Sequence, residues 1–213
     1  MDFIIQFLET RDFDKTIKFW TFLIAAIGVV KALFEYTKAQ KWKKAEFLAK
    51  EIKEFHADEN VQRAFLMLDW NLVDIKLFDG EIDGKKQFAF NDTMFFNALK
   101  HHDEANFTVE EAIIRQIFDD FLFKLGMFQS YIDSKLVTKT DVENYLIYWI
   151  NLIAKPKAGR KEEKCFIQFW KFISYYDYEK VIKLFENFDY DIKQPKEFIP
   201  EKHITKVTKS AGG

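Results

Sequence analysis

The stretch KFWTFLIAAIGVVKALFEYTKAQKWKK, residues 18–44, decides the architecture of this chain. Its apolar centre, Phe19 to Val30, is twelve residues long and carries no charge. Widening the window to 17–34 gives 18 residues. Such a helix is about 27 Å long at about 1.5 Å per residue, close to the thickness of a bilayer core. The length is therefore compatible with a membrane span.

The edges of this window carry the residues that a membrane interface favours. Lys18 and Lys31 lie near its two ends, where long side chains can extend to the headgroups. Trp20 and Trp42 are positioned as interfacial aromatic residues are. We predict a transmembrane helix over 17–36, with a buried helix of a soluble domain as the alternative.

The flanking charges predict the orientation of the span, because basic residues favour the cytoplasmic side. The basic residues before the uncharged centre of the window are Arg11, Lys15 and Lys18, and those after it are Lys31, Lys38, Lys41, Lys43 and Lys44. We expect a single-pass membrane protein with a cytoplasmic C-terminal domain. A single cysteine, Cys165, suits a reducing compartment, and the acidic start of the chain does not suit a cleaved signal peptide.

Small residues recur along one face of this helix at Ala25, Gly28 and Ala32. Such stripes let membrane helices approach closely, so we expect this face to pack against copies of the same helix. Lys31 and Glu35 lie one turn apart beside the stripe. In a ring of copies they are candidate pore-lining residues; alternatively, Lys31 extends to the interface and Glu35 lies among the headgroups.

The remainder of the chain predicts helices. There are only 3 Pro and 7 Gly in 213 residues, and we find no strand alternation. The predicted fold class is all-α, an N-terminal transmembrane helix continuing into a cytoplasmic helical bundle. The domain boundaries we expect are an interfacial segment over 1–16, the span over 17–36, an oligomerising bundle over 37–188 and a loose tail over 189–213.

Helix starts are marked by capping residues. Asp58 and either Asn91 or Asp92 precede apolar helical patterns. The capping-box sequences are Thr108 to Glu111 and Thr140 to Glu143.

Two later helices are apolar around most of their circumference, at 145–153 and 166–176. A domain of this size has limited room for two such helices at its centre. We therefore predict self-association into a homo-oligomer. The candidate interface residues are Tyr145, Trp149, Phe169 and Trp170.

The sequence carries no motif that predicts catalysis or a cofactor. It has no phosphate-binding glycine loop, and its net charge of −2 does not favour DNA as a partner. The loop FDGEIDGKKQ resembles the start of a calcium loop at Asp79, but the twelfth position counted from Asp79 is Phe90, where such a loop requires Glu. We therefore interpret it as a solvated turn. The run His101 to Glu104 reads as a polar helix end, because adjacent helical residues point about 100° apart. We predict no metal, cofactor or catalytic residue.

An α-helical ribonuclease of the HEPN type is the enzyme alternative. That family carries an arginine followed four to six residues later by a histidine. None of the arginines, Arg115 included, has a histidine at that distance. A soluble HEPN-like protein with residual RNase activity remains an alternative, as does a membrane-tethered adaptor without pore activity.

The order of elements resembles a known family. An N-terminal anchor, the segment YTKAQKWKKAEFLAKEIKEF, the segment ENVQRAFLMLDWNL and a Phe-rich bundle are similar to the small membrane accessory protein of type VI-B CRISPR–Cas systems. The likeness is architectural and covers most of the chain. It implies a protein of the bacterial inner membrane that forms an oligomeric pore. The pore would depolarise the cell when a crRNA-guided, RNA-cleaving effector detects phage RNA. Members are described with a divergent HEPN-like motif, which we do not find here; its absence puts a catalytic role in doubt but not the pore.

Overall fold

The computed structural model describes residues 2–155 and 161–192, with side chains from residue 14 onward. Within those ranges the elements are, in chain order, α1 (Asp2–Ala57), α2 (Glu59–Asp69), β1 (Leu72–Lys76), β2 (Gln87–Asn91), α3 (Asp92–Ala98), α4 (Val109–Asp133), α5 (Lys139–Ala154), α6 (Glu163–Tyr175) and α7 (Glu179–Asn187). The predicted fold class is confirmed in its main point, because the fold is mostly α with one small two-stranded sheet.

The chain divides into two compact units, residues 1–47 and 48–213. Helix α1 is continuous from Asp2 to Ala57, so the predicted boundary after residue 16 is not a break in secondary structure. The bundle was expected to begin at residue 37 but begins at Leu48. The reason is that Leu48 is the first buried side chain of α1 in the described part of the chain.

Three of the predicted helix starts are confirmed by their caps. The Asp58 side chain accepts from the amide of Val61 at 3.0 Å. The Asn91 side chain accepts from the amide of Met94 at 3.0 Å. Thr108 forms the predicted capping box at the start of α4. Each cap satisfies backbone donors that the first helical turn leaves without a partner.

The second predicted capping box is displaced by two residues. The Thr138 hydroxyl accepts from the amide of Asp141 at 3.4 Å, and Asp141 accepts from the amide of Thr138 at 2.6 Å. Helix α5 therefore begins at Lys139 rather than after Thr140. The prediction was wrong because it required Glu or Gln at the third helical position. Asp141 accepts the hydrogen bond from the Thr138 amide in the same way, so Thr138 can act as the capping residue.

An antiparallel hairpin was missing from the sequence prediction. Strands β1 and β2 pair in a register that sets Val73 opposite Phe90 and Ile75 opposite Phe88. Ile75, Phe88 and Phe90 are buried, which gives the hairpin one apolar face. Each strand has only 5 residues, and so short an alternation is a weak signal in the sequence.

The turn between the strands is held by a partly buried ion pair and is less solvated than predicted. The Arg63 guanidinium donates two hydrogen bonds to Glu81, at 2.9 and 3.1 Å, and lies 3.7 Å from the ring centre of Phe78. This bidentate geometry ties the turn to α2. Glu81, which the sequence suggested as part of a calcium-like loop, is therefore an arginine partner.

Helix α4 is the central element of the second unit and packs against α2, α3 and α7. Gly126 permits the close approach to α7, because a Cβ there would lie 3.2 Å from the Cβ of Lys180. The core is built mostly of phenylalanine rings in edge-to-face contact, which aromatic pairs prefer over a sandwich. These rings include Phe55, Phe65, Phe95, Phe118, Phe121, Phe128 and Phe169.

The packed domain extends past the predicted start of a loose tail. Tyr190 and Ile192 are buried, and the Tyr190 hydroxyl donates to Asn151 at 2.6 Å. The predicted boundary at residue 189 is therefore wrong by at least four residues. Residues 193–213 of the predicted tail lie outside the described residues.

A matched pair of phenylalanine substitutions tests this core. We expect Phe169→Ala to lower the free energy of unfolding by about 3–5 kcal/mol, because it removes a fully buried ring. The control is Phe123→Ala, since Phe123 lies on α4 and is 68% exposed; we expect a change within about 0.5 kcal/mol. The measurement is chemical unfolding of the full chain in detergent, followed by circular dichroism. Equal effects of the two substitutions would contradict the packing described here.

Candidate functional site

The apolar window of α1 is exposed along its length. An 18-residue window of this helix has a mean hydropathy of 1.9 and no buried residue. Phe22 and Ile24, for example, are 72% and 68% exposed. Among the residues that the structure describes, this is the one helix long and apolar enough to cross a bilayer. The core helix of a soluble protein would be largely buried instead.

The residues predicted to mediate helix packing lie on an open surface. Ala25, Gly28 and Ala32 are all exposed, and a Cβ at Gly28 would meet no atom within 4 Å. The Nζ of Lys31 lies 3.8 Å from the Oε1 of Glu35, and both side chains are well exposed. The stripe is therefore accessible to a neighbouring helix, while the pore-lining role of Lys31 and Glu35 stays a prediction.

The four candidate interface residues divide into two groups. Tyr145 is 46% exposed, and Trp149 is partly exposed while its ring stacks on Phe65 at 3.6 Å. Phe169 and Trp170 are enclosed in the core, and the Trp170 indole donates to the carbonyl of Ile153 at 3.1 Å.

The interface prediction is therefore wrong for Phe169 and Trp170. The physical reason is that α6 packs against α3 and α7, so it covers its apolar circumference within one chain. Tyr145 and Trp149 remain the candidates on α5.

A cluster of polar rings follows α3. Helix α3 ends at Ala98, so His101, His102 and Asp103 lie in a turn rather than on a helix. The rings of His101 and His102 lie 4.1 Å apart between centres. The polar-helix-end interpretation of this run is therefore wrong, since the backbone has already left the helix and its side chains can converge.

Tyr176, which directly follows α6, organises this turn. Its hydroxyl oxygen lies 3.2 Å from the amide nitrogen of His102, which donates to it, and 2.9 Å from the Nδ1 of the same histidine. Its ring is nearly parallel to that of His101, with centres 5.9 Å apart. One tyrosine thus lies beside both histidines and is hydrogen-bonded to His102.

Arg115 on α4 forms hydrogen bonds with the backbone that leads into the same turn. Its Nη1 donates to the carbonyls of Ala98 and Lys100, at 3.1 and 2.9 Å. Its guanidinium also lies 4.8 Å from the ring centre of Phe172 and 4.6 Å from that of Tyr176. Arg115 is therefore a positioning residue that joins α4, α6 and the histidine turn.

Sequence spacing gave no signal for this convergence. In the HEPN-type pattern the histidine follows the arginine, whereas here His102 precedes Arg115. Both residues contact Tyr176, which lies 74 residues after His102 in the chain. These contacts of Tyr176 form only when the helices pack together, so no spacing rule in the sequence predicts them.

Lys161, Asp92 and the carbonyl of Trp70 form a second polar cluster, which the sequence did not predict. Lys161 lies in the polar stretch KPKAGRKEEK, residues 155–164, yet it is only 4% exposed. Its Nζ donates to Asp92 at 2.6 Å and to the carbonyl of Trp70 at 2.7 Å. Burial lowers the pKa of Lys161, although the Asp92 carboxylate opposes that shift. This lysine ties the starts of α3 and α6 to the end of α2.

Cys165 is buried beside this cluster, with its Sγ 3.6 Å from the carbonyl oxygen of Asp92. Burial, with the neighbouring Asp92 charge as the next cause, raises the pKa of its thiol to about 11. A thiol of this kind is a poor nucleophile at neutral pH.

Comparison of this chain with protein-family models, curated proteins and solved structures finds no match in any of the three. The function is therefore argued from the residues and their geometry.

The buried lysine generates a testable prediction. We expect Lys161→Met to lower the free energy of unfolding by about 3–5 kcal/mol, because Asp92 and the Trp70 carbonyl lose their buried donor. Lys164→Met is the matched control, since Lys164 is exposed and we expect no measurable change. Urea unfolding of both variants at neutral pH measures the difference. A Lys161→Met protein as stable as the parent would show that the cluster contributes nothing to the fold.

Proposed function

We propose that α1 anchors the protein in a lipid bilayer as a single span and that the helical domain carries out its role at the membrane surface. The observation that supports this most directly is the exposure of the apolar window, which has a mean hydropathy of 1.9 and no buried residue. Lipid would remove that surface from water, and a helix satisfies its backbone hydrogen bonds internally, as a spanning segment has to.

The charges beside the window support a cytoplasmic location for the helical domain. Lys38, Lys41 and Lys43 follow the window and are all exposed. Exposed lysines here would lie among anionic headgroups of the inner leaflet, which attract basic residues. The N-terminal flank carries Asp14 and Lys18, whose side chains pair at 2.6 Å.

We further propose that copies of the protein assemble through α1. One helix cannot enclose an aqueous path, so a pore requires several chains in a ring. The accessible stripe of Ala25, Gly28 and Ala32 would let helices approach closely. Lys31 and Glu35, paired at 3.8 Å beside that stripe, would then supply polar groups to the lumen.

The family resemblance favours a specific form of this proposal. In that form the ring is an inner-membrane pore that strengthens RNA-targeting CRISPR antiviral defence by depolarising the cell. Its activator would be an RNA-guided, RNA-cleaving effector. Gating would need only a rearrangement of the cytoplasmic domains that separates the spans.

A tethered adaptor without a pore is the second candidate function. The helical domain exposes aromatic side chains at Trp70, Tyr145 and Tyr148, and the Tyr148 hydroxyl donates to Asp69 at 2.6 Å. Aromatic side chains of this kind are enriched in protein interfaces. An adaptor would use this surface for a partner and α1 only as an anchor.

Membrane anchoring is tested by carbonate extraction of cells that express the full chain. We expect the parent protein to stay in the membrane pellet. The double change Ile24→Lys and Ile27→Lys should release it, because each central lysine costs about 2.5–3.5 kcal/mol on insertion scales. The matched control, Trp42→Lys with Ala45→Lys, adds the same charges outside the window and should leave the protein in the pellet. Release of the parent protein into the supernatant would refute the anchor.

Assembly and pore formation are tested on the protein in detergent and in dye-loaded vesicles. We expect Gly28→Leu to lower the mass of the detergent-solubilised oligomer and to abolish dye release, because a branched side chain would separate the helices. Val30→Leu adds bulk on the opposite face of α1 and should change neither result. A monomeric parent protein would contradict the assembly, whereas a stable oligomer that releases no dye would favour the adaptor.

A further inference from the structure

The turn after α3 gathers three potential metal ligands. One donor atom from each of His101, His102 and Asp103 lies within 4.8 Å of the others. Each histidine has a ring nitrogen close to one of the two carboxylate oxygens of Asp103. His101 Nδ1 lies 3.4 Å from Asp103 Oδ2, and His102 Nε2 lies 3.3 Å from Asp103 Oδ1.

These separations match those between ligands of a small transition-metal ion. Zinc bonds to histidine nitrogen and carboxylate oxygen are about 2.0–2.2 Å long. Two donors at the corners of a tetrahedron with such bonds lie about 3.4 Å apart. The two nitrogen–oxygen separations in this turn therefore lie in the range found between ligands of one ion. The Asp103 amide donates to His101 Nδ1 at 3.3 Å, and an ion would replace that hydrogen bond.

The contacts of Tyr176 supply a second and independent feature of such a site. Its hydroxyl lies 2.9 Å from the Nδ1 of His102, on the side of the ring away from Asp103. Histidines that bind metals usually donate their other ring N–H to an oxygen, which fixes the tautomer and the ring orientation. With Nδ1–H donated to Tyr176, the Nε2 lone pair of His102 is directed towards Asp103.

The turn is also held in place before any ion arrives. Arg115 donates to the carbonyls of Ala98 and Lys100, which precede the histidines. The ring of Tyr176 lies nearly parallel to that of His101. Preorganised ligands lose less conformational entropy on binding, which favours affinity.

We propose that His101, His102 and Asp103 bind one first-row transition-metal ion, for which Zn²⁺ is the appropriate probe. Two imidazole nitrogens and one carboxylate suit zinc and its neighbours better than magnesium or calcium, which prefer oxygen ligands. His102 and Asp103 are exposed, so the remaining coordination positions are open to water. The ion would link the α3–α4 turn to the end of α6 through Tyr176.

Calorimetric titration of Zn²⁺ into the full chain in detergent tests the site. We expect one ion per chain and a dissociation constant at least about tenfold weaker in His102→Ala and in Asp103→Asn. His56→Ala and Glu104→Gln are the matched controls, because they remove the same groups outside the ligand set and should bind as the parent does. The circular dichroism of each apo variant verifies that it is folded.

Tyr176→Phe tests the positioning role separately. It keeps all three ligands but removes the hydroxyl beside His102, and we expect a loss of affinity of about 10–100-fold, as for other outer contacts of metal ligands. The absorption spectrum of bound Co²⁺ should lose intensity with Asp103→Asn and keep it with Glu104→Gln, which reports the ligand set directly. Absence of Zn²⁺ binding, or binding undiminished by His102→Ala and Asp103→Asn, overturns the proposal and leaves an ion pair between histidine and aspartate.

Discussion

The proposed function depends on the exposure of the apolar side chains in residues 17–36, which lipid would remove from water. A helix can satisfy its own backbone hydrogen bonds but cannot hide side chains that point outward around its full circumference. In the described part of the chain none of these side chains is buried. Lipid would satisfy the whole surface at once, whereas a neighbouring helix would cover only one side. At the face that contains Gly28 a neighbouring helix could cover the surface, while lipid covers the other faces.

The helical domain solves the opposite problem, that of packing many large rings into a small volume. Rings from α1, α2, α3, α4 and α6 meet mostly edge to face around α4. Polar side chains within this core are tied to specific partners, as Lys161 is to Asp92 and Arg63 to Glu81. Unpaired charges there would be costly, so these bonds select one arrangement of the helices. The domain is therefore defined by polar contacts as well as by its apolar volume.

Local chemistry explains which features were predictable from the sequence. The apolar window and the caps at Asp58 and Thr108 depend on residues within a few positions of one another. The hairpin was missed because its strands are stabilised by the core beneath them rather than by their own short alternation. The apolar circumferences of α5 and α6 look alike in sequence, yet Tyr145 is exposed and Phe169 is enclosed. The histidine turn needed contacts across 74 residues, which no spacing rule contains.

The buried thiol has a practical consequence for labelling. Cys165 is the one cysteine of the chain, and its pKa is raised to about 11. The raised pKa leaves very little thiolate there at pH 7, and the sulfur is shielded from reagents. A new cysteine at Trp20 or Trp42 would therefore be the reactive one in the folded protein. Spin labels or fluorophores attached there could report depth in a bilayer and distances between copies without first removing the natural cysteine.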